Sequence, residues 1–398
     1  VSNGATAARA VEGAWRRLIP LALGGLIVLG VGDSLLGVAW PSVRDQFSQP
    51  LAALGEVGLA QTVGYLAASP LSGVLSIRFG TGPYLTLAAA VGIVALGGFA
   101  LAPVWPLFVL CGAVYGLWAG SIDAGMNSWM ALQRDLRAMN LLHFAYGVGA
   151  TAGPLLMTAS LALGPGWRAA YLAGSAAVAA LFVGIGLTRR AWGRSSSEAE
   201  PGAPAEAGRM PWLLLGATMS TFLVYVGVEI GTGSWTFSHL VGLGTPPTLA
   251  GVTVSAFWGA LTLGRLGMAV LGGRATAATL LLSSCLVTLA GTAAYVLLPS
   301  GVGALLALSL LGLGLAPIFP LQMAQVPDRV GERRTPHVVG AIMAAAVVGG
   351  SLLTAGIGLG LQVAGVGALP WFLLAGAAVL LVLNLATDRI AAARRRKA

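Results

Sequence analysis

Cysteine is nearly missing from this chain of 398 residues, which carries two, Cys111 and Cys285. Both lie inside apolar runs, so neither a disulfide framework nor a thiolate metal site is indicated. Histidine is scarce as well, with three, and acids number only 13. No metal-ligand spacing, nucleophile-base set or phosphate-binding loop stands in its expected context, which argues against an enzyme and against a bound cofactor or metal. Charged residues make up 9% of the chain against 57% hydrophobic, with a mean hydropathy of +0.86. A soluble domain of that composition lacks the polar surface it needs. A cleavable leader is also missing: Arg16 and Arg17 precede an apolar stretch long enough to span, and no small-x-small site follows it.

What is present is a series of long apolar runs. Allowing about 20 residues per span, twelve candidate helices begin near Leu18, Ala52, Pro83, Pro106, Met139, Ala169, Trp212, Thr248, Thr276, Gly301, His337 and Leu369. With the N-terminus in the cytoplasm, 20 of the 22 basic residues fall on inner segments, among them Arg78, Arg265 and Arg329, and only Arg44 and Arg168 fall outside. That asymmetry places both termini in the cytoplasm of a bacterial-type inner membrane, with the lipid bilayer as the first partner. The formal charge of +9 is thereby spread over seven separate inner segments. It forms no basic face with interleaved aromatics, so nucleic acid is excluded as a partner. The tail Arg394-Arg395-Arg396-Lys397 anchors the last helix at anionic headgroups.

One break in composition, RRAWGRSSSEAEPGAPAEAGRMP over 189–211, reads as a flexible cytoplasmic linker. It divides the chain into an N-terminal half, 1–188, and a C-terminal half with its basic tail, 212–398. Six helices on each side, with both termini inside, is the pattern of transporters made of two six-helix halves. A faint internal repeat agrees: helix 2 ends in Gly73-x-x-x-x-Arg78-Phe79-Gly80 and helix 8 in Gly259-x-x-x-x-Gly264-Arg265-Leu266-Gly267. The fold class is therefore an all-α membrane protein of twelve helices, and Arg78 and Arg265 are gating candidates at the inner ends. The 58 glycines suit close helix approach in lipid, and equally match ordinary membrane-helix composition.

Ionisable groups within spans are costly and mark functional hypotheses. Four acids qualify: Asp33, Glu56, Asp123 and Glu229. Glu56 falls in the first turn of helix 2, where a carboxylate simply stabilises a helix N-terminus. Asp33 is either a proton-coupling group or a packing hydrogen-bond partner. Asp123 and Asn127 stand at i and i+4, on one helix face, flanked by Tyr115, Trp118 and Trp129. A carboxylate, an amide and aromatic rings are what a polyhydroxylated ligand needs, and a desolvated carboxylate can also carry a proton. The bland alternative is a pair bonded to backbone, or a partner for Arg134 or Arg137. Helix 5 adds His143, Tyr146 and Gly149-x-x-x-Gly153-Pro154, a bend and close-packing element. In the second half, Tyr225-Val-Gly-Val-Glu229-Ile-Gly-Thr-Gly-Ser234-Trp235 sets a glutamate in an apolar helix. Arg265 is its possible ion-pair partner, and Trp258, Phe319-Pro320, Gln322 and Gln325 are candidates for a pocket wall; Trp235 and Trp258 fit interfacial belts equally well.

These residues carry a resemblance. Asp123-Ala-Gly-Met-Asn127, Arg137-Ala-Met-Asn140-Leu-Leu-His143, the Tyr-Val-Gly-x-Glu run of helix 7, Trp-Gly and Gly-Arg of helix 8, Ile-Phe-Pro of helix 10 and Gly349-Gly350 of helix 11 resemble the fucose permease and glucose/galactose permease branch of the major facilitator superfamily. The resemblance implies that superfamily's fold, alternating access and proton-coupled sugar uptake. It puts Asp123 at the helix-4 carboxylate and His143 at a sugar-binding glutamine. It also shows departures: the acidic position of helix 1 falls on Gly37, with Asp33 one turn away, and Ile77 occupies the acidic position of the loop after helix 2. The helix-5 Gly-Pro element resembles that of exporters.

The reading that follows is a secondary transporter, monomeric, driven by a proton gradient or alternatively a sodium gradient, that carries a sugar or similar small polar solute. Asp123, Asn127, His143, Tyr146, Trp118, Trp258 and Gln322 are its substrate-binding candidates, and Asp33, Asp123 and Glu229 its coupling candidates. Proton-driven export of amphipathic compounds, and a non-transporting membrane receptor or scaffold, stay open beside it.

Overall fold

The computed structural model describes residues 2–132, 136–193, 212–271, 276–330 and 335–395. In a bilayer a backbone must satisfy its own polar groups, and among the described residues all regular structure is helical: α1 (Ser2–Phe47), α2 (Leu54–Phe79), α3 (Thr81–Leu101), α4 (Trp105–Leu132), α5 (Leu136–Ala162), α6 (Gly166–Thr188), α7 (Trp212–Gly242), α8 (Pro247–Leu271), α9 (Ala277–Leu297), α10 (Gly301–Leu315), α11 (Ile318–Ala324), α12 (Val326–Val330), α13 (Thr335–Ala364) and α14 (Leu369–Arg395), with short 3-10 turns at Leu51–Ala53 and Val366–Ala368. All twelve expected helices are present. The tenth is broken into α10, α11 and α12, because Pro317, Pro320 and Pro327 each remove a backbone donor; the eleventh and twelfth are α13 and α14.

Among the described residues eleven helical runs are long and apolar enough to cross a membrane. The expected helix outside that set is α5, whose hydropathy is diluted by Asn140, His143, Tyr146, Thr151 and its glycines. Between α2 and α3 the connection is Gly80 alone, at φ 89°, a conformation that suits glycine. Ile77 and Arg78 consequently lie in the last turn of α2 and not in a loop. Glu56 sits in the first turn of that helix, exposed, as its position suggested.

The chain divides into two compact units, Val1–Leu35 with Ala60–Glu198, and Leu36–Leu59 with Ala199–Ala398. The expected boundary at the linker therefore misses one feature: the end of α1 and the start of α2 belong to the second unit. Trp40, fully buried, donates its indole N–H to the Leu51 carbonyl at 3.0 Å and so folds this tip on itself. Ser351 of α13 then donates to the Gly58 carbonyl at 3.2 Å, and the Ala52 amide donates to Gln362 Oε1 at 3.1 Å.

Glycine sets the crossings inside each unit. In the first, a Cβ on Gly30 of α1 would come within 2.2 Å of the Tyr146 carbonyl of α5, and one on Gly149 within 2.0 Å of the Ile27 carbonyl. A Cβ on Gly64 of α2 would reach 2.0 Å from the Ala113 carbonyl of α4, and one on Gly116 1.9 Å from that of Gln61. Here backbones touch, the arrangement small residues permit in lipid. The second unit repeats the scheme, α7 on α13 and α8 on α10, while α3 packs on α4 and α6 as α9 packs on α10 and α14. Gly116→Val should force α2 and α4 apart and cost about 3 kcal/mol, the upper range for overpacking. Thermal unfolding of the purified variant checks this; an unchanged midpoint would mean the two backbones do not meet.

The first residues of the expected linker are ordered against the first unit. Trp192 is 3% exposed, with its ring 4.7 Å from that of Trp129; Trp129 donates to the Trp192 carbonyl at 3.1 Å and the Thr81 amide donates to that of Gly193 at 3.3 Å. Residues 189–193 are thus docked on α3 and α4 by a buried indole pair. Residues 194–211 lie outside the described residues, as do Arg134, Arg274, Arg333, Arg334, Arg396 and Lys397. Both exceptions to the basic-residue asymmetry have local employment. Arg168 donates to the Ala100 carbonyl and to that of Ala102 at 3.1 Å, closing the C-terminal end of α3, and Arg44 pairs with Asp45 at 3.7 Å.

Candidate functional site

The first-unit crossings position two carboxylates. Asp33 follows Gly30 by three residues and Tyr146 precedes Gly149 by three, so the α1–α5 crossing brings them together: Tyr146 Oη donates to Asp33 Oδ2 at 3.0 Å. Tyr115 of α4 donates to Oδ1 at 2.8 Å. Its hydroxyl passes over Gly32, where a Cβ would stand 2.5 Å away. The α2–α4 crossing does the same for Asp123. Tyr65, beside Gly64, donates to Asp123 Oδ2 at 2.5 Å, and Asn127 Nδ2 donates to Oδ1 at 2.8 Å and to the Asp123 carbonyl at 2.9 Å. The i, i+4 pairing expected of Asp123 and Asn127 is therefore realised within one helix.

Both carboxylates are held by neutral hydroxyl and amide donors, and among the described residues neither forms an ion pair. They differ in access: Asp33 is exposed, whereas Asp123 is half-buried. His143 is exposed on α5. Trp118 departs from expectation. It is 1% exposed, packed edge-on against Tyr115 and over Gly92 of α3; its ring fills the α3–α4 interface instead of standing with Asp123.

In the second unit Glu229, 7% exposed, lies 3.3 Å from Arg265 Nη2, which also donates to Tyr225 Oη at 3.3 Å. Arg265, expected as an inner-end gating residue, thus reaches from α8 to α7 and neutralises the glutamate, and Phe319 lies against Tyr225. Trp258 is 6% exposed and covers Gly233, so it serves the α7–α8 contact. Gln322, 1% exposed, accepts from Arg329 Nη1 at 2.7 Å and donates to Asn384 Oδ1 at 2.5 Å. Arg329, itself 5% exposed, further donates to Gln325 Oε1 at 2.8 Å and to Thr218 Oγ1 at 3.3 Å. This network ties α7, α11, α12 and α14 together and takes Gln322 away from a pocket wall. Arg78 is exposed, with its guanidinium over Phe79.

Sequence reasoning passed over Tyr65, the Arg329 network, and His239, which is fully buried with Nδ1 2.6 Å from Tyr295 Oη. The available signal for Tyr65 was its place beside Gly64, on a helix that also carries Glu56, Gln61, Thr62, three serines and Arg78. No three of the His, Cys, Asp and Glu side chains converge as metal ligands would among the described residues.

The family model of the Major Facilitator Superfamily matches residues 22–354. The chain belongs to this superfamily. It is 22% identical over 307 residues to the "Glucose/mannose transporter GlcP" of Bacillus subtilis, covering 74% of this chain and 76% of the relative. It is 27% identical over 275 residues to "Bypass of stop codon protein 6" of Saccharomyces cerevisiae, covering 60% of this chain and 54% of that protein; the chain thus spans about half the length of the yeast relative. The crystal structure of the nucleoside transporter NupG superposes with a TM-score of 0.72 over 94% of this chain and 99% of that one, at 16% identity. At that identity the likeness speaks for the fold alone. The superfamily fold, with its membrane-spanning apolar helices, is the frame in which the two carboxylate clamps and the Glu229–Arg265 pair stand.

Proposed function

We propose that the chain is a proton-coupled secondary transporter that takes up a sugar or a similar small polar solute by alternating access, through the inner membrane of a bacterial-type cell with both termini cytoplasmic. The observation that carries this reading is the pair of in-span carboxylates that, among the described residues, are held by neutral donors. Protonating such a carboxylate strands no counter-charge, whereas protonating one partner of an ion pair leaves the other unpaired. Its oxygens and the phenols and amide around them offer the acceptors and donors a polyol requires. Among the described residues no arginine or lysine pairs with either clamp, which favours neutral polyhydroxylated cargo; in the second unit the Arg265 charge is already matched by Glu229. The likeness to a glucose/mannose transporter supports the same cargo class.

In this reading Asp123, bonded to Tyr65 and Asn127, both binds a substrate hydroxyl and takes part in proton coupling, His143 is a further contact to cargo, and Asp33 exchanges a proton. The test is uptake of D-glucose and D-mannose into proteoliposomes holding the purified full chain, with an inward proton gradient. Accumulation that a protonophore abolishes is expected. Accumulation that persists without a proton gradient but follows sodium would replace the coupling ion, and extrusion of lipophilic cations without sugar uptake would replace the reading with export.

A further inference from the structure

The two donors on Asp33 are chemically alike and physically unlike. Tyr115 is 2% exposed; its ring lies against Phe99 and Trp118, and its hydroxyl fits the space that Gly32 leaves. That phenol also lies 3.4 Å from the Leu29 carbonyl, so packing and a second acceptor hold it in place. Tyr146 is half-buried, its bond to Oδ2 is the longer of the two at 3.0 Å, and that bond is solvent-exposed. A buried donor that leaves its acceptor forfeits a hydrogen bond outright, whereas an exposed one exchanges it for water at little cost.

We propose that Tyr146 is the exchangeable member of the Asp33 clamp, the donor that leaves Oδ2 when a proton or a substrate hydroxyl takes its place, while Tyr115 is the fixed member. This assigns Tyr146 a positioning role toward the coupling carboxylate in place of a simple contact to cargo, and it rests on the proposed role of Asp33. The titratable groups around Asp33 are Tyr115 and Asp123 from α4, Tyr146 from α5, and Tyr65 from α2. Of these only Tyr146 combines contact with Asp33 and exposure. Asymmetry of this kind lets Oδ2 change partner while Oδ1 keeps the carboxyl group oriented.

The test needs no sugar. A hydrophobic carbodiimide modifies protonated carboxyl groups, and mass spectrometry of the purified full chain reads the modification at Asp33 as a function of pH. Tyr146→Phe removes one hydroxyl and keeps the ring. It should extend Asp33 modification to more alkaline pH, with about a tenfold increase at a fixed pH on the falling limb, the effect of one hydrogen bond to a charged group, and leave thermal stability at the wild-type value. Tyr115→Phe should lower the unfolding midpoint. Asp33→Asn, which cannot be modified, fixes the background. An unchanged profile in Tyr146→Phe overturns the proposal, and so does a Tyr115→Phe protein that shows the same profile shift with wild-type stability, since the two phenols would then be equivalent. Failure of sugar uptake bears on the proposed cargo and leaves this measurement standing.

Discussion

Arg265→Leu should unfold well below the wild-type midpoint, losing about 3 kcal/mol, because it strands Glu229 without its cation in an apolar span. Glu229 is 7% exposed, and Tyr225 is then its sole remaining neighbour of the triad. The reverse change, Glu229→Leu, should cost less. The Arg265 side chain is 28% exposed, can stay solvated at its open side, and keeps the Tyr225 hydroxyl. The double variant Glu229→Leu, Arg265→Leu should recover much of the loss, since an apolar pair of similar volume removes the desolvation cost of both ions. Unfolding midpoints of the four proteins in one detergent form a double-mutant cycle. Additive losses would show that the ion pair is a neighbourhood and not an interaction.

Asp123→Asn should abolish concentrative uptake, lowering accumulation at least about tenfold, while sparing exchange of labelled for unlabelled solute. The change keeps size and one acceptor oxygen, so the packing at the α2–α4 crossing survives. What it removes is the charge on the group that accepts from both Tyr65 and Asn127. An amide cannot take up a proton at working pH, yet it can donate to Tyr65 Oη while still accepting from Asn127 Nδ2, so the clamp keeps its shape and loses its charge. Tyr65→Phe should give a milder loss, about threefold to tenfold for one hydrogen bond to a carboxylate. Parallel uptake and exchange assays separate the two effects. Full accumulation by Asp123→Asn would remove this carboxylate from coupling.

The helices were legible because hydropathy and length measure the same thing in a bilayer: whether about 20 residues can stay dry. The polar pair Asp123 and Asn127 was legible for a comparable reason, since i and i+4 share a face whatever surrounds them. Rotation and reach were not. Trp118 is five residues before Asp123, and only the placement of α3 decides that its ring turns inward onto Gly92. Arg265 counts as an inner-end residue by position, yet its side chain spans more than a helical turn and ends on Glu229. The same limit hid the Arg329 network, where a helix interrupted at three prolines lets α11 and α12 turn Gln322 and Arg329 toward α14. Composition did not show that residues 189–193 are docked, because a single indole, Trp192, is enough to hold them.

Position 37 carries a consequence of its own. A Cβ there would stand 2.6 Å from the Gly233 carbonyl and 2.9 Å from the Ser234 Cα, so helix backbone occupies the place where a side chain would begin. The acid that the resemblance puts at 37 and the tight crossing at Gly233 are alternatives, and this chain has taken the crossing. Asp33, one turn back on the same face, has phenols waiting on both oxygens and no backbone in its way. A carboxylate at 37 is therefore blocked until α7 gives ground, whereas the one at 33 already has a phenol on each oxygen, so on this face of α1 two hydrogen atoms of a glycine decide which turn can carry an acid.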